Sequence, residues 1–238
     1  MEKQAYVTLL SSADYVDAVA VLALSLQKVK SKHPLLVAIT EDTVTVEIIS
    51  FLKHFNCEIE IIKSLEYSPW VQENWKGHPV LKTASKIQIF NFVNWDKLIY
   101  IDADSVVLHN IDDLFNFYDG SMSYDEPEGM GFSGLFVFEP RNHNEFKYYP
   151  TLLVNHDVFD GNLIGELWFH VKTSPAHQIP YNYFWQYHPT FEVNPEIKAV
   201  HFCNLPKPWI EPTYKDFGDE FPIAKLYKRY LNEIQRMK

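Results

Sequence analysis

Two carboxylates one residue apart, Asp102 and Asp104, follow directly on the apolar run Leu98-Ile99-Tyr100-Ile101. In open α/β sheets, ligands collect beyond the carboxyl ends of the strands. A strand running into Asp102-Ala103-Asp104 therefore delivers both carboxylates to that edge. At this spacing they can share one hard cation, and Mg²⁺, Mn²⁺ and Ca²⁺ all suit oxygen ligands. An ion held there between two phosphates would neutralise charge building up on a departing diphosphate. A solvated turn after a strand uses the same tripeptide, and the three residues alone leave both readings open.

A second group lies near the C-terminus. Val200-His201-Phe202 ends another apolar run, and Pro206-Lys207-Pro208-Trp209 follows it. A histidine at a strand end either packs as a structural residue or completes a metal shell. A lysine stiffened between two prolines can contact a phosphate.

The surrounding pattern must place these groups. Residues 6–10 read as a strand, 15–29 as a helix, 34–39 as a buried parallel strand, 42–55 as a helix and 58–62 as a strand. Ser12 or Asp14, in the intervening turn, is the expected cap of the first helix. This β-α-β-α-β order predicts an α/β protein with a mainly parallel sheet and helices on both faces. Further on, the pattern predicts a helix over 82–93 and a strand over 97–101. A short helix over 111–118, capped by Asn110, and a strand over 132–138 come next. Residues 144–170 read as helix in two pieces. Pro175, Pro180, Pro189 and Pro195 then punctuate an irregular region, before a strand over 197–202 and a charged tail helix over 219–238. No domain boundary is visible, so one domain is expected.

The chain has 238 residues, enough for one domain with a full core, and a net charge of −10. That charge argues against nonspecific nucleic-acid binding, which rests on Lys and Arg neutralising phosphates. It is compatible with a nucleotide if a cation bridges the like charges. Aromatic residues make up 16%, which builds cores and also lines sugar-binding surfaces; the stretch 181–187 fits either use. Two cysteines are too few for a disulfide framework. The N-terminus reads as a strand rather than a signal peptide, and no apolar run approaches the roughly 20 residues needed to span a bilayer. The expectation is a cytoplasmic protein without a membrane segment.

Taken in order and spacing, these segments resemble glycosyltransferase family 8, and most closely its glycogenin and galactinol-synthase branch. The resemblance covers about residues 4–211. It is carried by Ala5-Tyr6-Val7-Thr8-Leu9 with Tyr15, by Lys86, by Tyr100-Ile101-Asp102-Ala103-Asp104 with its flank to Leu108, and by His201-Phe202 with Lys207-Pro208-Trp209. Phe132-Ser133-Gly134 resembles the family's Asn-Ser-Gly strand, with Phe132 where Asn is usual.

The resemblance implies a GT-A fold, here a single Rossmann-like domain over 1–238. Its nucleotide-binding half would span about 1–108, its acceptor half about 109–215, and a C-terminal helix about 219–238. It also implies a UDP-sugar donor, Mn²⁺ (or Mg²⁺), retention of anomeric configuration, and a glycan, polyol or protein acceptor, and it allows a homodimer. Carried over, Asp102, Asp104 and His201 would ligate the metal, with Ala103 between the carboxylates. Leu9 and Tyr15 would contact uracil with Ser11 and Ser12 nearby, and Lys86 and Lys207 would contact the sugar or the diphosphate. Gly134 would let backbone approach the donor, and Asp125 would lie near the sugar.

Departures from the family are specific. Leu163-Ile164 stands where the family has Asp-Gln, whose Asp contacts the donor sugar; Asp160 or Glu166 is the expected substitute. Gly77 stands where glycogenin-like enzymes carry a basic residue. The function expected is transfer of a hexose, glucose or galactose, from a UDP-sugar. The alternative is a catalytically weak nucleotide-sugar or glycan-binding relative. A phosphatase or nucleotidyltransferase fits less well, because the turn 11–14 is neither Gly-rich nor basic.

Overall fold

The computed structural model describes residues 2–125, 130–167, 174–186, 194–203, 207–209 and 222–237. The first half follows the predicted alternation: β1 (Gln4–Leu10), α1 (Val16–Lys28), β2 (Leu35–Thr40), α2 (Val46–Lys53) and β3 (Glu58–Ile62). The three strands pair in parallel, with Tyr6 beside Leu35 and Leu36 beside Glu58. β1 shows why its apolar run is nearly unbroken. Tyr6 and Leu10 enter one hydrophobic core, while Ala5, Val7 and Leu9 enter a second core on the opposite face. A strand buried on both faces needs apolar residues at both parities.

After α3 (Pro69–Asn74), β4 (Lys97–Ile101) pairs in parallel with β1. β5 (Ser105–Val107), β6 (Met122–Asp125) and β7 (Met130–Phe138) follow, then α4 (Tyr149–Asn155) and α5 (Asp160–Leu167). β8 (Gln178–Ile179), β9 (Trp185–Gln186), β10 (Ala199–His201) and α6 (Pro222–Gln235) complete the described chain. Among the described residues the main sheet has seven strands in the order β3-β2-β1-β4-β7-β6-β8. Only β7 runs against the rest, so the sheet is mainly parallel, as expected. A three-stranded sheet, β5-β10-β9, packs beside it. Its strands are two or three residues long, too short for periodicity to signal.

Several boundaries differ from the sequence reading. The helix expected over 82–93 is instead a pair of 3-10 segments, Pro79–Lys82 and Ala84–Asn91. Ala84, Ser85, Lys86, Ile87, Ile89 and Phe90 are all buried and only Gln88 and Asn91 reach solvent, so the second segment carries little amphipathic pattern. Neither Ser12 nor Asp14 caps the first helix with its side chain. α2 starts four residues later than residue 42, because Thr45 caps it by accepting from the Ile48 amide at 3.2 Å. The helix expected over 111–118 is a 3-10 turn, Asp112–Asn116; Asn110 serves its start, accepting from the Asp112 amide at 2.9 Å. The last strand is Ala199–His201 rather than 197–202. The stretch 144–170 does form two α pieces, preceded by a 3-10 turn at Asn144–Tyr148; residues 168–170, Pro189, Pro206, Tyr187 and the first residues of the expected tail helix lie outside the described residues. Among the described residues no helix is long and apolar enough to cross a membrane.

Candidate metal centre and its cleft

Both sheets meet at the Asp-Ala-Asp turn. The Asp102 amide donates to the Gly134 carbonyl at 2.9 Å, extending the β4–β7 ladder by one residue and fixing the first carboxylate. The Asp104 carbonyl accepts from the Phe202 amide at 2.8 Å, tying the second carboxylate to the end of β10. His201 sits opposite Ser105 in the β5–β10 pair. One ligand atom from each of Asp102, Asp104 and His201 can be chosen so that all lie within 4.8 Å of one another.

The carboxylate oxygens are divided between two kinds of partner. Asp102 Oδ1 accepts from the Tyr100 hydroxyl at 2.7 Å and lies 3.2 Å from Lys86 Nζ. Its Oδ2 lies 3.5 Å from His201 Nε2. Asp104 Oδ2 accepts from Lys207 Nζ at 2.6 Å, and its Oδ1 lies 3.0 Å from His201 Nε2. Lys207 Nζ also donates to the Phe202 carbonyl at 2.6 Å and the Cys203 carbonyl at 3.3 Å. Each aspartate thus keeps one oxygen for the imidazole side of the site. In a six-coordinate shell with bonds of about 2.1 Å, adjacent ligands lie about 3 Å apart. The donor set and its spacing fit such an ion.

Charge points the same way. Lys86 also lies 3.3 Å from Asp160 Oδ2, so the cluster holds three carboxylates and two ammonium groups. Its carboxylates outnumber its ammonium groups by one, an excess unfavourable to a diphosphate that a divalent cation reverses. Burial pushes the Asp104 carboxyl up, but the His201 imidazole and the Lys207 ammonium outweigh it and hold the group well below the usual carboxylate range. Burial pushes the Lys86 ammonium down; Asp102 and Asp160 outweigh it and keep Lys86 charged.

Asp160 joins this cluster from the first turn of α5. It accepts from Thr83 Oγ1 at 2.6 Å and from the Tyr67 hydroxyl. Leu163 and Ile164, one turn on, point into the core at 9% and 0% exposure. The side chains of Asp125, Glu166 and Phe132 lie outside the described residues. Gly134 has a role not foreseen. A Cβ there would meet the Phe184 ring at 2.8 Å and Asp102 Oδ2 at 2.9 Å, so the absent side chain makes room for the protein's own groups.

A cleft of about 430 Å³ opens over the centre, with Leu9, Ser11, Tyr15, Ala103, Asp104 and His201 in its wall. A second compartment of about 530 Å³, which includes Ser12, shares Ser11, Tyr15, His78 and Lys207 with it. The edge of the Trp209 ring meets Tyr15 at 5.1 Å between centres. In the aromatic stretch 181–187, Tyr181 is exposed and Phe184 is buried against His201. Tyr67, Thr83, Tyr100 and Phe184 were not in the sequence-derived set. Tyr100 could have been found from its place two residues before Asp102, on the same strand face; Phe184 lies in the aromatic stretch 181–187 noted in the sequence, but nothing local tied it to His201.

Comparison with known proteins follows the same lines. The family model described as glycosyl transferase family 8 matches residues 6–148. Galactinol synthase 7 of Arabidopsis thaliana is 30% identical, over an alignment covering 96% of this chain and 81% of the plant protein. Glycogenin-2 of Homo sapiens is 29% identical, covering 87% of this chain and 43% of its own length. Among solved structures, the galactosyltransferase LgtC, in complex with donor and acceptor sugar analogues, superposes with a TM-score of 0.65 at 12% identity, over 96% of this chain and 95% of that one. At that identity the likeness concerns the fold.

Proposed function

The chain belongs to glycosyltransferase family 8 and has its GT-A fold, and from that premise we propose that it transfers a hexose, glucose or galactose, from a UDP-sugar to a hydroxyl acceptor with retention of configuration. The observation carrying this reading is the convergence of Asp102, Asp104 and His201 on the wall of one cleft, with Lys207 beside them on that wall and Lys86 buried behind Asp102. Asp102 Oδ2, Asp104 Oδ1 and His201 Nε2 would hold Mn²⁺. When bound, that ion supplies Lewis-acid stabilisation of the leaving diphosphate.

The chain's own groups do the rest. Leu9 and Tyr15, with Ser11 and Ser12, hold the uridine in the half spanning about 1–108. Lys207 and Lys86 face the charge that develops as the bond between the anomeric carbon and the diphosphate oxygen breaks. The acceptor, bound by the half spanning about 109–215, forms its new bond on the same face, and its proton passes to the departing diphosphate oxygen. Asp160 favours this front-face route, because it is buried, lines neither compartment of the cleft and is held by Tyr67, Thr83 and Lys86. A nucleophile needs a free lone pair aimed at carbon. The free thiols Cys57 and Cys203 suit a reducing compartment, and the proposal places the enzyme in the cytoplasm.

One observation favours a second reading, a nucleotide-sugar-binding relative with little turnover: Leu163 and Ile164 are core residues and offer the sugar no polar group. Asp104→Ala tests the metal assignment common to both readings. The expected result is loss of Mn²⁺-dependent UDP binding by calorimetry; UDP affinity unchanged in the presence of Mn²⁺ overturns it.

A further inference from the structure

Tyr100 stands at the end of β4, two residues before Asp102, so both side chains leave the same face of the strand. It is 1% exposed. Its ring stacks on Phe136 with centres 4.9 Å apart and planes 17° apart, and Lys86 Nζ lies 4.8 Å from the ring centre. These contacts fix the direction of the hydroxyl, which donates to Asp102 Oδ1 at 2.7 Å. The same oxygen faces Lys86. Only Oδ2 is turned toward His201.

We propose that Tyr100 is a positioning residue for the metal centre: its hydroxyl and the Lys86 ammonium together hold one oxygen of Asp102, so that the carboxylate offers an ion the other oxygen alone. The inference rests on the metal-binding reading above. Single-atom ligation by Asp102, Asp104 and His201 suits a small octahedral ion and leaves positions for donor phosphate oxygens. Ca²⁺ takes more oxygens in a looser geometry and readily accepts both atoms of one carboxylate. Holding Oδ1 back therefore selects against it. Partners of this outer kind typically change metal affinity by about 10- to 100-fold when removed.

The test is Tyr100→Phe, which deletes the hydroxyl and keeps the ring. Mn²⁺ binding is titrated without nucleotide by electron paramagnetic resonance of the free ion, with Ca²⁺ as competitor, and the melting of metal-free protein is recorded for both forms. The expected result is a Mn²⁺ affinity about tenfold or more lower in the variant, a narrower preference for Mn²⁺ over Ca²⁺, and a cooperative melt. Mn²⁺ affinity and preference equal to wild type overturn the positioning role and leave the metal reading standing. Wild-type protein that binds no Mn²⁺ overturns the metal reading and this role with it. A measurement on wild type alone needs no folded variant: Mn²⁺ is expected to raise the melting temperature more than Ca²⁺ does at equal concentration, and equal shifts count against the proposal.

Discussion

Phe184 lies against the His201 imidazole with ring centres 5.1 Å apart and planes 22° apart. The contact holds the imidazole plane so that Nε2 faces both aspartates. It depends on Gly134, whose Cβ would collide with the Phe184 ring and with Asp102 Oδ2. Gly134→Ala is therefore expected to displace a ligand and the group that orients another. Overpacking of this kind costs about 1–3 kcal/mol. A Mn²⁺ titration and a melting curve check it; a variant that matches wild type in both contradicts the packing described.

Lys207 has two tasks that can be separated. It holds Asp104, and in the proposed function it also meets a phosphate. Losing a bond between charged groups is worth about 1.5–3 kcal/mol, so Lys207→Ala should weaken UDP by about tenfold or more while uridine binding changes little. Calorimetry with both ligands decides. Equal weakening of the two would show that the lysine acts on the nucleoside side.

Acid should act through Asp104. Its folded-state ionisation is held below the ordinary value of 3.8, against burial, by His201 and Lys207. A depressed carboxyl adds stability above its unfolded value, and that stability is lost as pH falls through the folded value. Wild type should therefore lose melting temperature more steeply than Asp104→Asn as pH falls below about 4. Parallel acid limbs for the two proteins would remove Asp104 as the source.

Asp160 should form no covalent bond to sugar. It is buried, lines neither compartment of the cleft and is held by Thr83, Tyr67 and Lys86. Mass spectrometry of protein quenched during turnover is expected to show no glycosyl adduct on the α5 peptide. An adduct at Asp160 would replace the front-face route with a two-step one.

The sheet and the acidic turn were legible because they obey local rules. Continuous apolar runs at β1, β2 and β4 report burial on both faces, and a strand end reports where Asp102 must go. His201 was legible as a strand end, but its partnership with Asp102 is a long-range fact set by the β5–β10 pair. The 3-10 segment Ala84–Asn91 was misread as a regular helix because a segment buried at six of its eight residues carries little amphipathic signal. Phe184 was noted only as part of the aromatic stretch 181–187; its place against His201 was not legible, since it depends on the space over Gly134, fifty residues away in sequence. Leu163 and Ile164 were noted as a departure from the family; only packing shows that α5 turns them inward while Asp160 takes the polar position.

The central claim is that the Asp102, Asp104 and His201 centre serves transfer from a UDP-sugar. The direct measurement is UDP release from UDP-glucose and UDP-galactose, each with Mn²⁺ and with EDTA. Release from one donor, dependent on Mn²⁺ and absent in Asp104→Ala, is the expected result. Release that persists unchanged in EDTA and in the variant would contradict it.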